Sequence, residues 1–254
     1  MQKSIKACII DIDGVLYEGK VAVPGAKETL AYLVQKRIPF VLLTNTTMRS
    51  RQGMSDKVFE RVGVRVPAEQ ILTASSLTAD YLRKQGSPPS FILLAENGMQ
   101  EFTDIPYDDA DPTYVAVGDL GRGFNFDVLN KAFRALWNGA ELIAMQNEPY
   151  ELGDNGPELN VGSWVALLER ASGKQATVIA KPSKQAFLLA LDHLGTQAEE
   201  TAMIGDTIAV DIWGAQQVGL QTILVRTGKS DFASIHGIEP DLQLASIRDL
   251  PTVV

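Results

Sequence analysis

Two carboxylates stand two residues apart in Ile9-Ile10-Asp11-Ile12-Asp13-Gly14-Val15, where an apolar run gives way to polar residues. The run has the length and composition of a buried strand, and acids that end such a strand cost free energy unless they are paired or metal-bound. A carboxylate in that position can attack phosphorus when a cation cancels the repulsion between two anions. A second carboxylate can then protonate the leaving oxygen and later activate water. Asp11 is the candidate nucleophile, Asp13 the candidate acid/base, and Gly14 lets the chain turn at once. Taken alone, Asp-x-Asp-Gly also suits a plain turn or a calcium-like loop, so the reading depends on what else converges there.

Three further clusters follow apolar runs. Leu42-Leu43-Thr44-Asn45-Thr46 supplies a hydroxyl and an amide that can hold phosphate oxygens, although the same residue types cap helices and satisfy turns. Thr46 and Thr47 read as caps or loop hydrogen-bonders. Ala180-Lys181-Pro182-Ser183 sets an ammonium at a strand-to-helix corner, with the proline suited to a first helical turn. Lys181 can balance the nucleophile and a phosphate oxygen there; a solitary lysine is otherwise solvated surface. Gly205-Asp206 to Asp211 delivers acid again, after a glycine that permits close backbone approach. Magnesium takes hard oxygens and keeps several waters, so Asp11, Asp206 and the backbone carbonyl of Asp13 are a sufficient protein share of a Mg²⁺ site. Asp211 is suited to orient a metal-bound water or the lysine, or else is a solvated helical aspartate.

The elements that must position these groups alternate short apolar runs with helical periodicity, the pattern of an α/β fold with parallel strands and crossover helices. Strands are predicted at 7–11, 40–43, 202–204 and 222–225, and helices near 26–35, 51–62, 184–193 and 208–218. The middle third has its own strands near 91–94, 114–117 and 142–144, and helices near 77–84, 126–137 and 163–171. Residues 75–178 therefore read as an inserted α/β module, with 1–74 and 179–254 forming the core domain.

Composition narrows the function. A net charge of −8 with no basic stripe disfavours nucleic acid. The longest apolar runs are of strand length, so no segment spans a membrane. The amino terminus enters a strand too soon for a signal peptide, which makes the cytoplasm the expected location. Cys8, the single cysteine, reads as a small buried hydrophobe. His193 and His236 receive no catalytic role. Phe133 and Trp137 are four apart and share a helix face, which reads as core or module interface.

Taken in order, Asp11-Ile12-Asp13-Gly14-Val15, Thr44-Asn45, Lys181 and Gly205-Asp206 to Asp211 resemble the motifs of the haloacid dehalogenase superfamily of phosphatases. The segments 16–26, 214–220, 225–229 and 241–250, with the long insert before Lys181, resemble its NagD-like, class IIA branch. The Leu142-Ile143-Ala144 strand, Gly162 to Ala171 and Lys181-Pro182 resemble the subgroup that contains phospholysine phosphohistidine inorganic pyrophosphate phosphatase. The resemblance implies a doubly wound, Rossmannoid parallel-sheet core with an inserted α/β cap, a small phosphorylated substrate and Mg²⁺. It implies Asp11 as nucleophile and metal ligand, Asp13 as acid/base, Thr44 and Asn45 as phosphate contacts, Lys181 as charge balancer and Asp206 as metal ligand. It also implies a homodimer through the cap.

The cap departs from the branch: where many relatives carry Ala-Thr-Asn-x-Asp, this chain has Ala144-Met145-Gln146-Asn147-Glu148. Asn147 is the candidate substrate contact, and the usual aspartate is missing. Three rival readings use the same residues. Asp13 and Asp206 argue against a 2-haloacid dehalogenase, which needs neither metal nor second acid. A lysine preceding the last acidic pair argues against a receiver-like signalling domain. A catalytically weak phosphate- or metal-binding protein keeps every group and differs only in turnover.

Overall fold

The computed structural model describes residues 4–153, 156–228 and 237–254. His236 and Lys229 lie outside the described residues. The chain runs through β1 (Ala7–Asp11), the short pair β2 (Tyr17–Glu18) and β3 (Val21–Ala22), α1 (Ala26–Lys36), β4 (Phe40–Thr44), α2 (Arg51–Val62) and β5 (Ile71–Thr73). It continues with α3 (Ala74–Lys84), β6 (Ser90–Leu93), α4 (Glu96–Met99), β7 (Tyr114–Val117), α5 (Phe126–Trp137) and β8 (Glu141–Ala144). The pair β9 (Tyr150–Gly153) and β10 (Gly156–Leu159), then α6 (Val161–Ser172) and β11 (Thr177–Val178), follow. The last part holds α7 (Lys184–Leu194), β12 (Thr201–Gly205), α8 (Trp213–Gln216), β13 (Gln221–Val225) and β14 (Leu242–Leu244).

Two compact units result, one from Met1–Thr44, Arg51–Leu72 and Lys181–Val254, the other from Asn45–Ser50 and Thr73–Ala180. The first carries a six-stranded sheet in the order β14-β13-β12-β1-β4-β5, with β1 parallel to both β12 and β4. The second carries a four-stranded parallel sheet, β11-β8-β7-β6. This is the expected α/β architecture, a parallel-sheet core interrupted by an α/β insert. Every residue of β1, β4 and β12 is buried. Strands covered on both faces need no alternation, which is why these segments read as continuous apolar runs. Among the described residues no helix is long and apolar enough to cross a membrane.

Register brings the polar ends together. Asp11 is level with Leu43, and Ile10 with both Leu42 and Ile204, so Asp11, Thr44 and Gly205-Asp206 leave the same edge of the sheet. The chain fills β1, β4 and β5 on one side before crossing to β12 and β13 on the other. A crevice beyond the carboxyl ends of strands is expected where the order reverses in this way.

Two local expectations are corrected. The helix expected over 208–218 begins with a π turn over Ile208–Ile212 and becomes α-helical at Trp213. Its cause is the Thr207 carbonyl, which accepts from the N–H of Asp211 at 2.8 Å and also of Ile212 at 3.4 Å. Such a widened turn is common at functional sites. Pro182 is not in the first turn of α7 either: Ser183 caps that helix, its Oγ accepting from Gln185 N at 3.2 Å, and Pro182 precedes the cap in a cis peptide.

Candidate active site

Lys181 joins the clusters. Its Nζ donates to Asp11 Oδ1 at 2.7 Å and to Asp211 Oδ1 at 2.7 Å, and all three side chains are buried. Asp211 reaches the lysine from the π turn, while its Oδ2 accepts from Thr207 N at 3.1 Å. Asp206 takes a hydrogen bond from the Thr207 hydroxyl at 3.0 Å. Oxygens of Asp11, Asp206 and Asp211 all lie within 4.8 Å of one another. Hard oxygen donors at that spacing fit a divalent cation, with Asp11 and Asp206 the better candidates because Asp211 has both oxygens engaged in holding Lys181 and the turn.

Backbone fits closely around the acids. Gly14, at φ +87°, and Gly228, at φ +67°, approach Asp206 so nearly that a Cβ on either would overlap Asp206 Oδ2. A Cβ on Gly205 would overlap Asp211. The turn after β1 is closed by the N–H groups of Val15 and Leu16 on the Ile12 carbonyl and of Gly14 on the Tyr17 carbonyl, bonds that do not use the carbonyl of Asp13. Asp13 itself faces solvent, its side chain 61% exposed, with Lys57 Nζ 4.0 Å from its Oδ1.

Three carboxylates around one ammonium leave negative charge in excess. Burial, the largest cause, raises Asp11 to about 8; Lys181 pulls the other way, and Asp211 and Asp206 add to the rise. Burial works against the charge on Lys181, but Asp11 and Asp211 outweigh it and hold the ammonium above the ordinary lysine range. A folded-state value above the unfolded one means that native Asp11 binds more proton than the unfolded chain between about pH 4 and 8. The contribution of Asp11 to metal-free stability therefore falls as pH rises through that window. The Tm of metal-free protein is expected to decline with pH there, and Asp11→Asn to flatten the slope. Identical slopes for the two proteins would contradict this charge balance.

Thr44 is buried at the end of β4, and Asn45 follows with Nδ2 3.5 Å from Glu148 Oε1. Thr47 is a loop hydrogen-bonder, its hydroxyl accepting from Asp119 N at 3.1 Å. In the second unit Asn147 is exposed, on a loop pinned by buried Gln146, which donates to Asn160 Oδ1 at 2.7 Å and accepts from Glu148 N at 2.5 Å. Cys8 is fully buried and burial pushes its thiol up to about 12, as a core residue requires. Of the two readings of Phe133 and Trp137, core or module interface, the core one does not hold for Trp137, which is 74% exposed. Sequence reasoning missed Thr207, Glu18, whose carboxylate accepts from Gly228 N at 2.7 Å, and Lys57. Glu18 and Lys57 lie outside the strand-end acid clusters that located the others, whereas Thr207 lies inside one, between Asp206 and Asp211, and was passed over because only the acids there were read.

Fold, acid cluster and buried lysine define a hydrolase of the haloacid dehalogenase kind, and the chain belongs to that family. Residues 8–105 match the family described as haloacid dehalogenase-like hydrolase, and residues 178–250 match a second, HAD-hydrolase-like family. Within it the chain is a member of the NagD-like phosphatase branch. The ribonucleotide monophosphatase NagD of Escherichia coli K-12 is 35% identical over 92% of this chain and 93% of its own. The solved structure of NagD superposes with a TM-score of 0.89, covering 97% of this chain and 98% of that one. The human haloacid dehalogenase-like hydrolase domain-containing protein 2 is 35% identical over 94% of this chain and 90% of its own. The rat phospholysine phosphohistidine inorganic pyrophosphate phosphatase is 33% identical over 89% and 84%.

Proposed function

We propose that this protein is a Mg²⁺-dependent phosphatase that hydrolyses a small phosphorylated metabolite through an aspartyl-phosphate on Asp11. The observation that carries the proposal is the buried Asp11–Lys181–Asp211 chain at 2.7 Å and 2.7 Å with Asp206 beside it. Lys181 holds Asp11 Oδ1, so Oδ2 is the oxygen that attacks phosphorus; the bond from phosphorus to the leaving oxygen breaks, and Asp13 gives that oxygen a proton. Asp13 then takes a proton from water, which attacks the same phosphorus, and the Oδ2–phosphorus bond breaks to release inorganic phosphate. Thr44 and Asn45 bind phosphate oxygens, and Gly14 provides close backbone approach. Asp11, Asp206 and the Asp13 carbonyl would hold Mg²⁺, which supplies charge neutralisation between the two anions. Asp211 acts through Lys181, keeping the ammonium aimed at Asp11. The insert selects the leaving group, with Asn147 as its candidate contact.

The relatives' names cover nucleotides, phospho-amino acids and pyrophosphate, so the test is a panel of those compounds with p-nitrophenyl phosphate, read as kcat/KM with Mg²⁺ and with chelator. Hydrolysis that requires the cation supports the proposal. Release of phosphate from no member of the panel, or equal release in chelator, rejects it.

The proposed assembly is a homodimer through the insert. Phe126 and Trp137 are 79% and 74% exposed on α5, and Phe133 lies against Trp137 with ring centroids 5.9 Å apart. Asp127 and Arg134 are seven residues apart on one flank of that stripe, so two antiparallel copies of α5 about a twofold axis would set each Asp127 against the other copy's Arg134. Light scattering should give a dimer that Trp137→Glu converts to monomer; a wild-type monomer at micromolar concentration ends this reading.

A further inference from the structure

We infer that Lys57 is the positioning residue for Asp13, steering the acid/base from α2. The inference rests on the reading of Asp13 as that acid/base. A lysine on a helix flank ordinarily projects into water, but the Lys57 side chain is only 26% exposed. Its ammonium lies 5.0 Å from the centre of the Tyr17 ring, which is itself fully buried. A cation over an aromatic face is attracted by the ring quadrupole, and a rigid ring fixes where that cation stands. Tyr17 is tied to the catalytic turn, its carbonyl accepting from Gly14 N at 2.8 Å and its backbone bridged to Asp13. Ring, ammonium and carboxylate are thus linked to the turn that follows Asp11 at the end of β1.

Among the described residues no other side chain hydrogen-bonds or ion-pairs with the Asp13 carboxylate. That carboxylate is 61% exposed and would otherwise sample several rotamers. At 4.0 Å the ammonium attracts it without a direct hydrogen bond, so the acid is oriented while its oxygens stay open to a leaving group and to water. Rotamer restriction is the mechanism: the acid waits in place when the ester arrives. Lys57 touches no reacting atom in this account.

The test isolates the step in which the leaving oxygen is protonated. Leaving-group release is followed in single turnover, enzyme in excess and Mg²⁺ saturating, for phosphate esters running from p-nitrophenyl to simple alkyl. p-Nitrophenolate departs without a proton and an alkoxide does not. Lys57→Met, which keeps the apolar stem, is expected to slow alkyl esters about 10-fold and p-nitrophenyl phosphate less than about 3-fold, with substrate affinity unchanged. Lys57→Arg should recover most of the loss, and Lys57→Met in an Asp13→Asn background should add nothing. The inference is overturned by equal slowing of every ester, by a change in affinity alone, by losses additive with Asp13→Asn, or by no loss. If Asp13→Asn itself shows no preference for good leaving groups, the acid/base reading fails instead.

Discussion

Asp11→Asn is expected to lower kcat for p-nitrophenyl phosphate by on the order of 10⁴-fold or more while leaving the fold intact, because the change removes the attacking oxygen and little else. Asparagine keeps the shape of the side chain, and its amide oxygen can still accept from Lys181 Nζ, 2.7 Å away in the native protein. It has no charge to share with phosphorus. Binding of Mg²⁺ should weaken as well, since Asp11 is one of three acids whose oxygens lie within 4.8 Å. Activity near the wild-type level in correctly folded Asp11→Asn would place the nucleophile elsewhere.

Lys181→Met carries the largest expected effect on stability. Lys181 is buried between Asp11 and Asp211, and removing it leaves three carboxylates with no cation among them. Breaking a buried ion pair by deleting one partner costs about 3–5 kcal/mol. For a chain of this size that corresponds to a fall in Tm of about 10 °C in chelator. Methionine fills the stem's volume, so charge rather than packing is responsible. Saturating Mg²⁺ should recover part of the loss, because a cation in the same cluster replaces some of the missing charge, whereas activity should stay low. A Tm unchanged in chelator would show that the acids do not depend on the ammonium.

Much of this site can be read in the linear sequence because its groups leave strand ends. Ala7–Asp11, Phe40–Thr44 and Thr201–Gly205 are buried on both faces, so each appears as an apolar run, and the acid or hydroxyl after it stands out. The α5 segment is equally plain, since its apolar and polar residues keep helical spacing through Phe126–Trp137. Three kinds of feature are not legible. Very short strands such as Ile71–Thr73 and Leu242–Leu244 carry too few residues to show a period. The π turn at Ile208–Ile212 arises from how the Thr207 carbonyl is shared, and the sequence there has the same spacing as an ordinary helix. Contacts made across the tertiary fold leave no local trace: Lys57 comes close to Asp13 from 44 residues away, and Gly228 meets Glu18 from 210. Gly14 lies between these cases. Its freedom to turn is readable from its type, but that it must stay bare because Asp206 Oδ2 occupies the space beside it is visible in three dimensions alone.

An aspartate that carries phosphate covalently can be trapped. Enzyme turning over a good substrate with Mg²⁺ is quenched in acid, reduced with borohydride and digested, then sequenced by mass spectrometry. An acyl phosphate on Asp11 is reduced to homoserine, so homoserine at position 11, present with substrate and absent without it, is the predicted result. Turnover with an unmodified Asp11, or with reduction at a different aspartate, would mean that Asp11 does not carry the phosphate.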